Sequence, residues 1–311
     1  MLSVLFAVLP IFALILAGWL ARQLGALSPH ATTEINRFVV YLALPALLFD
    51  IVANAQWDTL WQPAFVAAFG LGAAAVFVLG VALGLWRSRH LADAAIDGLN
   101  AAYANTGFIG IPLGLAVLGR DALVPALIAT IITVCILFAV AVIVVEVALQ
   151  SKGRPGRMLA KVSGQLLRNP LLVAPVLGAI VLASGIGVPA PAEAFLKLLG
   201  NAASPCALVS LGLFLAERRA GPDRSLKGLP MLVGLKLVAQ PLATWLLASK
   251  VFGLPMALTH SAVLMAALPT GTGPFMATQY YGREASITSA AILVSTVLSV
   301  VTITGYLGWA G

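Results

Sequence analysis

A chain of 311 residues that is 61% hydrophobic and only 9% charged lies far from soluble domains, in which roughly 25% of residues are charged. At about 20 mostly apolar residues per membrane-spanning helix the supply suffices for nine or ten spans, and a mean hydropathy of +1.03 leaves no remainder for a soluble catalytic domain. The net charge of +7 falls between apolar runs rather than on one polar face, which argues against a nucleic-acid partner.

In chain order, apolar runs and their breakers predict ten membrane helices over residues 2–20, 34–54, 62–86, 93–119, 122–149, 169–185, 190–216, 230–252, 255–281 and 284–309. The first run lacks a basic n-region and a clear cleavage site, so it is expected to be a retained span rather than a signal peptide. Cys135 and Cys206 lie inside apolar runs and read as packing residues, not a disulfide. The predicted organisation is a first five-helix repeat over 1–149, a cytoplasmic loop over 150–168 and a second, inverted five-helix repeat over 169–311. The expected fold class is thus an all-α polytopic membrane protein.

Basic residues orient this arrangement. One set of alternate loops and flanks holds Arg22, Arg37, Arg87, Arg89, Lys152, Arg154, Arg157, Lys161, Arg168, Arg218, Arg219, Arg224, Lys227 and Arg283, whereas the opposite set holds only Arg120 and Lys250. Positive residues mark the cytoplasmic side, so ten spans place both termini outside. Lys197 and Lys236 lie within spans.

Internal similarity supports two halves. Span four contains Asn105-Thr106-Gly107-Phe108-Ile109-Gly110-Ile111-Pro112 and then Gly119-Arg120-Asp121-Ala122. Span nine contains Pro269-Thr270-Gly271-Thr272-Gly273-Pro274 and then Gly282-Arg283-Glu284-Ala285, offset by about 164 residues. Halves of five spans each run in opposite directions, so the repeat is inverted.

The two Gly–Pro clusters interrupt apolar spans. Proline removes a backbone donor and clashes with the preceding turn, and glycine is a poor helix former. In hydrocarbon the freed backbone groups need protein or water partners. Such residues also merely kink membrane helices, the reading that suits the isolated Pro10, Pro175 and Pro241. Two clusters at matching places in an inverted repeat point instead to broken helices. Pro112 and Pro274 suit the start of new half-helices, whose N-termini would meet near the midplane and favour an anion. Asn105, Thr106, Gly107, Gly110, Pro112, Pro269, Thr270, Gly271, Thr272, Gly273 and Pro274 are the candidate substrate-binding residues.

These segments resemble the auxin efflux carrier family, which includes plant auxin exporters and bacterial carriers described as malate or malonate permeases. The similarity lies in Asn105-Thr106 with Gly110-Ile111-Pro112-Leu113, in Ala266-Ala267-Leu268-Pro269 with Pro274-Phe275, and in Ile35-Asn36-Arg37-Phe38-Val39, Arg168-Asn169-Pro170 and Ser210-Leu211-Gly212-Leu213-Phe214. The resemblance implies crossing fourth and ninth helices, as in the NhaA and bile-acid symporter folds. It also implies elevator-type transport, with spans three to five and eight to ten moving past a scaffold of spans one, two, six and seven, and Asn105 at the substrate carboxylate. The scaffold is the candidate surface for a homodimer. Where plant members carry an acidic residue and a lysine in the third helix, this chain has Phe69 and Ala73, and Met265 replaces a glutamine before the ninth-helix crossover.

Charged or titratable groups inside spans are further candidates as coupling or charge partners. Lys236 is deep in span eight, set either to contact substrate or a counter-ion or to snorkel; His260 precedes the ninth-helix break; Asp97 starts span four; Asp50, like Glu146, sits near a span end where interfacial solvation suffices. His30, His90 and His260 have no metal-ligand spacing, and Gly70-Leu71-Gly72 lies inside a span without nucleotide-site context. No enzyme activity, metal or cofactor is expected. The expected partners are the bilayer of a bacterial inner membrane and a small carboxylate, carried by secondary transport; an anion channel or a membrane sensor is the alternative.

Overall fold

The computed structural model describes residues 2–28, 30–149, 170–216 and 226–310. The 150–168 loop, and with it Lys152, Arg154, Arg157, Lys161 and Arg168, lies outside the described residues, as do Arg218, Arg219 and Arg224.

The described residues are helical apart from short connections. We number the helices α1 (Leu2–Gln23), α2 (Ala31–Ala53), α3 (Pro63–Trp86), α4 (Leu91–Ala102), α5 (Thr106–Leu118), α6 (Arg120–Leu149), α7 (Pro170–Ser184), α8 (Ala190–Ala216), α9 (Leu229–Val251), α10 (Met256–Ala267), α11 (Gly273–Tyr280) and α12 (Ser286–Ala310). Among the described residues six of these, α2, α3, α6, α8, α9 and α12, are long and apolar enough to cross a membrane. The protein is a multi-pass membrane protein.

Spans four and nine are each interrupted, at the segments where the sequence predicts breaks. The chain leaves the helix at Tyr103 and re-enters it at Thr106; in the second case it leaves at Leu268 and re-enters at Gly273. α5 begins six residues before Pro112, not at it, which corrects the expected start of that half-helix. Its first turn, Thr106–Gly110, is a π-turn. π-turns also cover Val39–Ala43 and Leu235–Ala239. Each of the three contains the residue four positions before a proline, Phe108 for Pro112, Tyr41 for Pro45 and Leu237 for Pro241. The widened turn relieves the clash between the proline ring and that carbonyl, so the helix continues past it.

Close helix crossings use glycine in place of bulk, as expected where lipid gives no hydrophobic drive for association. α1 packs along α8 and α7 packs along α2. A Cβ on Gly212 would overlap the carbonyl oxygen of Ile15, and one on Gly18 would overlap that of Val209, so α1 and α8 interlock reciprocally. A Cβ on Gly178 would come within 2.8 Å of the carbonyl oxygen of Phe49 in the α7–α2 contact. Gly80 and Gly98 similarly let α3 lie against α4.

Three connections gather at one end of the bundle. Arg87, after α3, donates to the carbonyl of Lys227, before α9. Arg283, between α11 and α12, forms a forked pair with Asp93 in the first turn of α4, with Nε 2.7 Å from Oδ1. All three arginine and lysine positions belong to the basic-rich set. Replacing Arg283 with Ala leaves the partly buried Asp93 carboxylate without its fork and should lower stability by about 1–3 kcal/mol. A double-mutant cycle with Asp93→Ala in detergent melting checks this, and simple additivity would remove the coupling.

The repeated Gly-Arg-acid-Ala motif has a backbone cause in both halves. Gly119 follows α5 with φ of +76°, and Gly282 follows α11 with φ of +59°. Both lie in the region where a Cβ is penalised, so each glycine ends its half-helix and reverses the chain toward the next span.

Candidate binding site at the helix crossover

The two interruptions cross and bond to each other. Asn105 N–H donates to Pro269 O at 2.9 Å, Gly271 N–H donates to Tyr103 O at 2.9 Å, and Ala104 and Thr270 form an antiparallel bridge. These bonds satisfy backbone groups that hydrocarbon would leave bare.

The carbonyls freed at the ends of α4 and α10 are met by side chains. Thr270 Oγ1 donates to Asn100 O at 2.8 Å, Gln240 Nε2 to Ala102 O at 2.9 Å, and Lys236 Nζ to Ala266 O at 2.8 Å. Ser295 Oγ accepts from Thr270 N–H at 3.0 Å, and Asn100 Nδ2 donates to Thr288 Oγ1 at 3.0 Å. α9 and α12 thus brace the back of the crossover.

On the other side lies a cavity of about 190 Å³. It contains Tyr103, Asn105, Thr106, Gly107, Thr272 and Gly273 from the crossover, with Asn36, Thr130, Phe138 and Met276 around them. Asn105 occupies the N-cap of α5, but its side chain makes no capping hydrogen bond. Asn105 Nδ2 and Thr106 Oγ1 are buried and without a protein partner. Such an amide, neither capping its helix nor meeting protein, leaves a donor available at the cavity wall. The first turns of α5 and α11 add N–H groups and partial positive charge. None of the lining residues is charged.

Tyr103, absent from the sequence-based candidates, explains the glycines of the second crossover. Its ring lies across Gly271 and Gly273: a Cβ would come within 3.0 Å of the ring at Gly271 and would overlap Cζ at Gly273. The ring also meets Phe138 edge-on, with centroids 6.1 Å apart. Asn36, Thr130 and Met276 were likewise missed. Asn36 stands in a segment carrying family resemblance, whereas Thr130 and Met276 have no local signal and reach the cavity through packing alone.

Other candidates sit elsewhere. Gly110 packs on Leu268 and Met265, so Met265 fills core rather than site. Pro112, Pro269, Thr270, Gly271 and Pro274 shape the crossover without lining the cavity. Lys236 is fully buried, so it does not snorkel, and it is spent on Ala266 rather than on the cavity. His260 bonds Tyr306 through Nδ1 at 2.8 Å. Asp97 is fully buried, 2.9 Å from Arg89 Nε, and Asp50 accepts from Asn54 Nδ2 at 2.9 Å. None of these three lines the cavity. Glu146 is buried and accepts from Tyr281 Oη at 3.0 Å, which corrects its reading as an interfacially solvated group.

A family model described as "Membrane transport protein" matches residues 3–307. The chain belongs to that family, the auxin efflux carrier family. A Rhizobium meliloti (strain 1021) protein named "Putative malonate transporter" is 33% identical over 305 residues, covering 96% of this chain and 93% of that one. An Escherichia coli (strain K12) protein named "Uncharacterized transporter YfdV" is 25% identical, covering 94% and 93%. The rice "Auxin efflux carrier component 3a" is 28% identical over 146 residues, which span 46% of this chain and 24% of the rice protein. The auxin efflux carrier family is one of membrane transporters, not enzymes.

Proposed function

We propose that this chain is a secondary carrier of a small organic anion, a mono- or dicarboxylate, working by elevator-type alternating access. The observation that carries this reading is the crossover cavity, where the unpartnered Asn105 Nδ2 and Thr106 Oγ1 stand at a half-helix N-terminus beside the start of a second one. Donors and positive helix ends without a carboxylate in the lining suit an anion. The name of the Rhizobium meliloti relative, a malonate transporter, supports a carboxylate.

The same reading counts ten crossings, with α4–α5 and α10–α11 each forming one, arranged as five-plus-five inverted repeats over 1–149 and 169–311. Exchanging the halves turns the α1–α8 contact into the α7–α2 contact, which supports the inverted symmetry and a scaffold of spans one, two, six and seven. The basic-rich end is cytoplasmic, as for an inner-membrane protein, and both termini are outside. On this reading the cavity, whose lining includes Asn36, Leu171 and Met276, opens toward the cytoplasm. An inside-negative potential drives anion export with about 2.3 kcal/mol per charge per 100 mV.

Uptake of labelled malonate into proteoliposomes, competed by a panel of mono- and dicarboxylates, tests the substrate class. The expected result is saturable uptake inhibited by acids small enough for the cavity. Uptake untouched by every carboxylate in the panel would overturn the reading.

A further inference from the structure

The crossover cavity has a counterpart on the far side of α6. That helix turns Thr130, Val134 and Phe138 toward the crossover cavity, and Ile132, Ile136 and Val140 toward a groove of about 600 Å³ that it shares with α3. Positions two apart point to opposite sides of a helix. A π-turn over Ile132–Leu137 falls where the two hollows share this wall. No proline stands four residues after any of its positions, so the steric cause of the turns near Pro45, Pro112 and Pro241 does not apply. Such turns gather at functional sites.

The chemistry of the groove narrows its occupant. All fourteen lining residues are apolar. Gly70, Ala74 and Ala82 leave room on the α3 side, and a Cβ on Gly70 would meet Ile132 of α6 at 3.9 Å. Val78 is 62% exposed and Ile136 55%, so the groove opens sideways to hydrocarbon. Water would find no polar partner there, and an unfilled hollow forfeits contacts. Over the roughly 18 Å from Ile132 to Val144, a second helix about 10 Å across would occupy about 1,400 Å³, more than twice the groove. An acyl chain, a single file of CH2 groups, fits.

The rim at the basic-rich end offers the matching charge. Leu85 lines the groove there and is followed by the exposed Trp86 and by Arg87. α6 ends at the same level, since Glu146 meets Tyr281, two residues before Arg283. Arg89 is paired with Asp97, but the recorded bond of the partly exposed Arg87 goes to a neutral group, the carbonyl of Lys227. Tryptophan and basic residues at the end of a span sit at the depth of lipid headgroups, where a guanidinium suits a phosphate.

We propose that the α3–α6 groove binds one acyl chain of a membrane phospholipid whose phosphate lies at Arg87. The site is separate from the crossover cavity and does not rest on the carrier reading.

Phospholipid retained per chain is the readout, taken by native mass spectrometry on the full chain purified in detergent and washed free of bulk lipid. The wild type should keep about one phospholipid, and Ala74→Phe/Ala82→Phe, which fills the groove from two exposed positions, should keep about fivefold less. Ala75→Phe adds the same bulk at an exposed position outside the groove and should match the wild type. A wild type stripped of lipid, a double variant that keeps it, or a control that loses as much would each overturn the site. Arg87→Gln keeps a donor for the Lys227 carbonyl and should also retain less; unchanged retention would overturn the phosphate contact. The wild type alone gives a second reading, which stands if the double variant does not fold. A phospholipid with a photoreactive group at its chain tip should label α3 and α6 in preference to the exposed Val176 and Ile180 of α7. Even labelling of all three helices would overturn the proposal.

Discussion

Asn105→Ala is expected to lower kcat/KM for the transported acid by about 10- to 100-fold, the effect of removing one hydrogen bond to a charged group. The fold should survive. The Asn105 side chain neither caps α5 nor bonds protein, whereas the bonds that hold the crossover use its backbone: N–H to Pro269 O at 2.9 Å, and its carbonyl accepting from Ile109 and Gly110, each at 3.1 Å. Melting temperature should therefore stay near that of the wild type while affinity falls. Asn105→Asp keeps the shape but sets a negative charge against the anion, so its loss should be larger. Radiotracer kinetics with both variants in proteoliposomes check the order. Equal activity of Asn105→Ala and the wild type would place the substrate elsewhere.

Gly212→Ala is expected to destabilise the protein more than any substitution in the site. The added methyl would overlap the carbonyl oxygen of Ile15 and come within 2.8 Å of the backbone nitrogen of Trp19. Both are main-chain atoms of α1, which no rotamer change can move. The helices must separate, and the reciprocal contact of Gly18 with Val209 opens with them. Overpacking of this kind costs about 1–3 kcal/mol, a lowering of the melting temperature by about 2–5 °C for a chain of this size. Gly234→Ala is the control, because a Cβ there meets nothing within 4 Å. Fluorescence-detected melting in detergent compares the two, and equal temperatures would contradict the packing argument.

The parts of this architecture legible in sequence were those set by solvent. Hydrocarbon demands long apolar runs, so helices such as α3 and α6 could be placed to within a few residues. It forbids bare backbone, so the clusters at Gly107–Pro112 and Pro269–Pro274 pointed to breaks facing protein. Where several physical solutions satisfy the same rule, the sequence was silent. Pro112 suited the start of a half-helix, but a π-turn let the helix begin at Thr106 and run through it. Thr270 looked like a ligand group; it caps Asn100 instead, because a freed carbonyl must find a donor. Lys236 had two expected fates and took a third, on the end of α10. Tyr103 carried no signal of its own. Its trace was the absence of side chains at Gly271 and Gly273, which becomes readable only once the two segments cross.

A carrier with an anion site at the crossover makes one demand that a pore cannot meet. Proteoliposomes preloaded with millimolar unlabelled acid and diluted into trace labelled acid should accumulate label transiently above equilibrium, since loaded units exchange faster than empty ones return. Asn105→Ala should reduce the overshoot. Label that merely equilibrates, at a rate proportional to concentration and indifferent to the preload, would contradict the carrier and its site alike.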